Sequence, residues 1–133
     1  MPEKATLRKA QADLRSGKSP STAAGEFVRE EIEHIREGKH GARSPEQAIA
    51  IGLSKARRAG VPLKPPKKGK ARKRTRRSAQ RDYDVGQEKR KARAPSRKRS
   101  KASSQRLKRE LKSSVSRSAL SRHAKRVARR RKT

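Results

Sequence analysis

The sequence predicts an all-α protein: a small helical hairpin or three-helix N-terminal region, followed by a basic tail that is largely disordered or conditionally helical. Three observations carry this. Apolar residues recur at helical spacing in three segments before residue 60. Residues 1–60 hold 12 Lys/Arg against 8 Asp/Glu, a balance of +4, while residues 61–133 hold 30 against 4, a balance of +26. Between the halves, Gly60, Pro62, Pro65 and Pro66 break any helical pattern. These set a domain over 1–60 and a low-complexity tail over 61–133.

The first helix is expected over about 3–16, where Leu7, Ala10 and Leu14 recur at i, i+3 and i+7. Gly17 and Pro20 stop it. The "SGKS" that follows lacks the first glycine of a phosphate loop and sits after a helix, so it reads as a C-cap and linker.

The second helix is expected over 22–37, N-capped by Ser21 or Thr22 and ended by Gly38. Ala24, Val28, Ile32 and Ile35 form its apolar stripe, with Phe27 beside it. Glu26, Glu30, Glu33 and Glu37 form a line on the opposite side. That line reads either as a solvated face or as a dock for basic chain.

The third helix is expected over 45–59. Ser44 is its N-cap, Pro45 suits the first turn and Gln47 completes a capping box. Gly60 ahead of Val61-Pro62 stops it. Ile49, Leu53 and Ala56 make an apolar face, while Ala48, Gly52 and Ala59 make a small-residue ridge that admits another backbone. With Ile51 the arc spans about 200°, more than one neighbouring helix covers. Two neighbours, or one neighbour and a second copy of the chain, would fill it, so a homodimer through helix 45–59 is a candidate. The packing residues are thus Phe27, Val28, Ile32, Ile35, Ile49, Gly52, Leu53 and Ala56.

In the tail, self-repulsion is strong and burial slight, which favours disorder unless phosphate neutralises the charge. Helices over 70–85, 103–113 and 118–130 would then form. Ala71, Thr75, Ala79 and Tyr83 mark the first; Leu107, Leu111 and Val115 the second; Leu120, Ala124 and Val127 the third.

A formal net charge of +30 calls for a polyanion, and nucleic acid is the obvious one. The candidate phosphate contacts are Arg57 and Arg58 on the third helix. In the tail they are Lys67, Lys68, Lys70, Arg72, Lys73, Arg74, Arg76 and Arg77, then Lys89, Arg90 and Lys91. Arg97, Lys98 and Arg99 follow, and Arg126, Arg129, Arg130 and Arg131 close the chain. Aromatics make up only 2% of residues, so backbone contact is expected rather than base stacking. Double-stranded DNA is the expected partner.

Cysteine is absent, which removes disulfides and thiolate metal sites. His34, His40 and His123 are far apart in pattern, so no metal site is expected. No carboxylate pair or Ser/His/Asp set has a scaffold, so no catalysis, cofactor or small-molecule substrate is expected. A turn with His40, Gly41 and Arg43 could receive a phosphate. Serines after Arg or Lys could be phosphorylated, lowering the tail's charge. No apolar run approaches 18 residues, so no membrane span is expected.

Residues 25–66, "GEFVREEIEHIREGKHGARSPEQAIAIGLSKARRAGVPLKPP", resemble a family of small, highly basic bacterial proteins of unknown function. Some of these are labelled plasmid stabilisation or DNA-binding, histone-like proteins. The pieces "REGKHGARS" and "QAIAIGLSKARRAG" carry the resemblance most, with the closing "SALSRHAKRVARRR". It implies a bacterial, cytoplasmic setting and offers no catalytic residues to carry over; a nucleoid-associated place is expected from the charge. The function expected is non-enzymatic nucleic-acid binding with little sequence specificity. The rivals are an RNA- or ribosome-associated protein, and a plasmid-maintenance module acting through the N-terminal hairpin.

Overall fold

The computed structural model describes residues 2–94 and 96–132. Its regular structure is helical: α1 (Lys4–Arg15), α2 (Pro20–Arg36), α3 (Pro45–Arg58), α4 (Lys73–Gly86), α5 (Arg97–Arg109) and α6 (Arg117–Lys132), with a 3-10 turn at Ser113–Val115. No strand occurs among the described residues. No helix among them is long and apolar enough to cross a membrane.

The start of α2 lies earlier than expected. Ser19 is its cap: the Ser19 Oγ and carbonyl both accept from the Thr22 N–H. Pro20 therefore opens α2 instead of stopping the preceding helix, which is where a locked φ and a missing N–H cost least. The start of α3 follows the capping logic with one change. Ser44 Oγ accepts from Gln47 N at 3.2 Å, but Gln47 Oε1 reaches one residue further back, to Arg43 N at 2.6 Å.

The chain forms two compact units, Met1–Glu30 with Ala50–Ala94, and Glu31–Ile49 with Pro95–Thr133. Each joins a piece of the balanced half to a piece of the basic half. The boundary expected at residue 60 is thus not where the chain divides. The first unit holds 23 Lys/Arg against 7 Asp/Glu (+16), and the second 19 against 5 (+14).

In the first unit Ala10, Ala23, Ala24, Phe27, Ala56 and Val61 are buried, with Leu7, Leu14, Leu53 and Leu63 packed on them. Small residues let the helices approach closely. A Cβ added at Gly52 would lie 2.6 Å from the Cα of Val28, so α2 and α3 cross here with almost no gap. Glu30, on the acidic line, is 4% exposed. Its Oε1 accepts from Glu3 N at 2.6 Å and Thr6 Oγ1 at 3.3 Å, anchoring the start of α1. Asp82 of α4 accepts from Ser54 Oγ and from Arg58 Nε, both at 2.7 Å, tying α4 to α3.

In the second unit Ile35, Ala42, Ala48 and Val115 are fully buried, with Ile32 beside them. The connector after α2 is stitched to the chain after α5 by backbone bonds, Gly41 N to the Leu107 carbonyl at 2.7 Å and Ala42 N to the Leu111 carbonyl at 3.0 Å. A Cβ at Gly41 would collide with the Glu110 carbonyl, so only glycine admits this approach. Arg36 Nη2 donates to the Val115 carbonyl at 3.2 Å.

Two expectations for residues 61–132 need correction. The segment is helical over 73–86, 97–109 and 117–132, not a largely disordered tail. Four of its apolar residues, Val61, Ala79, Val115 and Ala119, are buried, and most of the larger ones are half-buried. Asp82 and Glu46 pair with Arg58 and His123, and this offsets part of the self-repulsion that disorder was inferred from. The second tail helix, expected over 103–113, ends at Arg109. Leu107, Leu111 and Val115 therefore share no helical face; Leu111 is 68% exposed while Val115 is buried.

Candidate nucleic-acid interface

Basic side chains cover α6 because its sequence repeats them at both helical spacings. Arg122, Lys125, Arg126 and Arg129 stand at i, i+3, i+4 and i+7, which puts them on one face. Together with Arg43 they line an open cleft of about 630 Å³ in the second unit, whose floor includes Ser44, Pro45 and the exposed Leu111. The start of α3 faces this cleft, where the helix dipole favours an anion, although Gln47 N already donates to Ser44 Oγ and Pro45 has no N–H.

One carboxylate occupies the cleft. Glu46 Oε1 lies 2.9 Å from His123 Nδ1 and 3.7 Å from Arg126 Nη2. A hydrogen bond from its own backbone N–H holds Glu46 below the usual carboxylate range; burial opposes this, and His123 and Ser44 add to it. Glu46 holds Arg126, while Arg43, Arg122, Lys125 and Arg129 on the same cleft are exposed.

The other candidate contacts are distributed. Lys67, Lys68, Lys70 and Arg72 are exposed on the segment before α4, and Lys73, Arg74 and Arg77 on α4 itself. Arg76 is half-buried, beside Pro65, Pro66, Lys73 and Arg77 in a smaller cleft. Lys89, Arg90 and Lys91 are exposed after α4, with Lys89 Nζ 5.9 Å from the Tyr83 ring centre. Arg97, Lys98 and Arg99 form the first turn of α5, a helix with no buried residue. Neither α4 nor α5 has an acid in its first turn. Cations there oppose the helix dipole, a penalty that a bound phosphate removes. Arg130 and Arg131 are exposed near the end of α6.

Arg57 is the exception. It is 8% exposed. Its Nε donates to the Leu63 carbonyl at 3.1 Å and its Nη2 to the Lys64 carbonyl at 3.5 Å. Burial lowers the pKa of its guanidinium, with Asp82 opposing. Arg57 fastens the chain after α3 and is withdrawn from any phosphate. Arg58, held by Asp82, stays half exposed.

Of the packing residues, Phe27, Ile35, Gly52 and Ala56 are buried, while Val28, Ile32, Ile49 and Leu53 are half-buried. The wide arc of α3 is used within the chain: Ala48 belongs to the core of the second unit, Leu53 and Ala56 to that of the first.

Arg122 and Lys125 are absent from the residues singled out for nucleic acid, though the spacing that marks Arg126 and Arg129 makes them readable. Arg43 is read from sequence only as part of a phosphate-binding turn with His40 and Gly41; that it meets the basic face of α6 is not legible, because the two come from distant parts of the chain. Comparison of the chain with models of known protein families, with curated proteins and with solved structures finds no match to any of them.

Proposed function

We propose that the chain is a non-enzymatic nucleic-acid-binding protein that grips the phosphate backbone, of duplex DNA in the first instance, with little sequence specificity. The observation that carries this reading is the cleft of the second unit, where four basic side chains of α6 converge with Arg43 on the start of α3. Arg122 to Arg129 extend roughly 10 Å along the helix, and duplex DNA presents about one negative charge per 1.7 Å of its axis. One face of α6 therefore meets several phosphates at once. Readout of bases would need aromatic platforms or bidentate groups held rigidly, and aromatics make up only 2% of the residues. A nucleoid-associated role belongs to the same reading on the ground of charge, and the resemblance of residues 25–66 adds to it only a bacterial cytoplasmic setting.

The test is the salt dependence of binding to a random-sequence duplex. If about 8 phosphates are neutralised, log K falls against log salt with a slope near −7. A slope near zero overturns the electrostatic mechanism. Competition at one salt concentration between duplex DNA and structured RNA decides the polymer; preference for RNA replaces the DNA part of the reading. Ile49 and Ile51 of α3 are half-buried, and self-association through this helix is tested by sedimentation of the full chain. A monomer at high concentration removes it.

A further inference from the structure

The most deeply buried carboxylate in the chain is Glu31, which is 0% exposed. An ionised carboxylate in such a place needs cationic partners. Two imidazoles stand beside it. Glu31 Oε2 lies 3.2 Å from His40 Nε2, and Glu31 Oε1 lies 4.0 Å from His34 Nδ1. The donor atoms of Glu31, His34 and His40 all fall within 4.8 Å of one another. Glu31 and His34 are one turn apart on α2, and His40 arrives from the connector, after the turn that Gly38 makes with φ +85°.

We propose that Glu31, His34 and His40 form a binding site for a zinc-class divalent transition-metal ion. Three features point to a metal. First, the donor set, one carboxylate and two imidazoles, leaves a fourth position open, which is a recurring zinc arrangement. Second, the spacing fits. Two ligands about 2.1 Å from a tetrahedral ion stand about 3.4 Å apart, close to the 3.2 Å between His40 Nε2 and Glu31 Oε2; His34 Nδ1 is 4.0 Å from the other oxygen, and with one donor atom from each residue the set spans no more than 4.8 Å, so it must close around an ion. Third, the His40 ring is already oriented. Its Nδ1 lies 2.9 Å from the Gly41 carbonyl. A donated N–H there fixes the tautomer that turns the Nε2 lone pair toward Glu31, the outer hydrogen bond that metal-bound histidines normally have. With Nε2 as an acceptor facing a carboxylate oxygen, a cation belongs between them. A second proton on His40 would make an ion pair instead, and uptake of metal separates the two.

The surroundings favour a cation despite the net charge. Glu33 shares the last turns of α2 with Glu31, Lys39 beside His40 is paired with Glu37 at 3.5 Å, and basic groups further away are screened beyond about 8 Å. Nitrogen donors select zinc-class ions over Mg²⁺ and Ca²⁺, which prefer oxygen. Bound there, the ion would fasten the end of α2 to the connector that leads into α3.

The test uses the full-length chain, stripped of nucleic acid and of metal by chelation, and titrated with ZnCl₂. The expected result is uptake of one equivalent, a rise in unfolding temperature, and intense visible absorption when Co²⁺ replaces Zn²⁺. His34→Ala and His40→Ala should each weaken uptake by about tenfold or more, with helicity retained. Both histidines are partly exposed, so these variants decide the matter should Glu31→Gln fail to fold. His123→Ala removes the remaining histidine and should leave uptake intact. Absence of uptake by the wild-type chain overturns the proposal. So does uptake that survives in the His34→Ala/His40→Ala double variant, or that disappears with His123→Ala.

Discussion

The two units are almost equally basic, +16 and +14, though they are cut from sequence halves that balance at +4 and +26. They reach this by different means. The first rests on a broad alanine-rich core around Phe27, with two buried acids, Glu30 holding the start of α1 and Asp82 holding α4. The second has four fully buried apolar residues and a buried glutamate among histidines. Both units carry buried polar ties, but the first sets them on the larger apolar core, while in the second polar contacts and backbone stitching act beside a smaller one. A chain this basic therefore folds by spreading its few acids, so that each basic stretch meets some of them, instead of segregating charge into a tail.

The largest effects should come from the core of the first unit. Phe27→Ala should cost about 3–5 kcal/mol, as for other buried aromatics. Ile35→Ala in the second unit should cost less, about 2–5 kcal/mol with its smaller volume. Gly52→Leu belongs with these, since even a Cβ meets the backbone of Val28. Urea unfolding read by helicity checks all three. If Ile35→Ala proves the most damaging, the contrast between a larger and a smaller apolar core is wrong.

Next comes Asp82→Asn, which weakens the acceptor shared by Ser54 and Arg58. A hydrogen bond to a charged group contributes about 1.5–3 kcal/mol, and Asp82 is nearly buried. The expected loss lies in that range, with residues 73–86 opening first in hydrogen exchange. Uniform protection would show that α4 is held by Ala79 and its neighbours instead.

How much of this was legible beforehand follows from what sequence periodicity reports. It reports which face of a helix is apolar, and so it located α2, α3 and the all-helical class. Turn chemistry at Ser44 and Gly60 fixed the limits of α3. Pairings across distance leave no such trace. Nothing local distinguishes Arg57, which is buried, from Arg58, which is half exposed. Nor does anything local show that Glu30 and Glu31, adjacent on one helix, serve different units. The cluster of Glu31, His34 and His40 was hidden for the same reason: His40 joins through the geometry of a connector, not through a helical repeat. Disorder in the tail was inferred from composition alone, which cannot register that Val115 and Ala119 have places to go.

Smaller again, and read in affinity, is the contrast between binding surfaces. Replacing Arg122, Lys125 and Arg129 by alanine removes three cleft cations. The salt slope should become shallower by about 2.7, that is, about 0.9 for each lost contact. The matching replacement of Lys67, Lys68 and Lys70 on the first unit should change it less, because these side chains extend from irregular chain and converge on no cleft. Equal changes would mean that charge alone, not the arrangement on α6, sets the affinity.

The smallest effect is the most diagnostic. Glu46 has its pKa lowered in the folded chain, chiefly by its own backbone N–H. A depressed carboxylate contributes stability above its unfolded value and loses it as pH falls through the folded one. Thermal unfolding of the wild type should therefore exceed that of Glu46→Gln at pH 7, with the gap closing below about pH 4. The gap should be small, roughly 0.2–1 kcal/mol, because the pair with His123 is partly solvated. Binding should move the other way. Glu46 holds Arg126 on the cleft where phosphate is proposed to sit, so Glu46→Gln frees that arginine and removes a like charge from the path of the polyanion. DNA affinity should then rise while stability falls. If both fall together, Glu46 organises the cleft, and the groups that it holds act only through it.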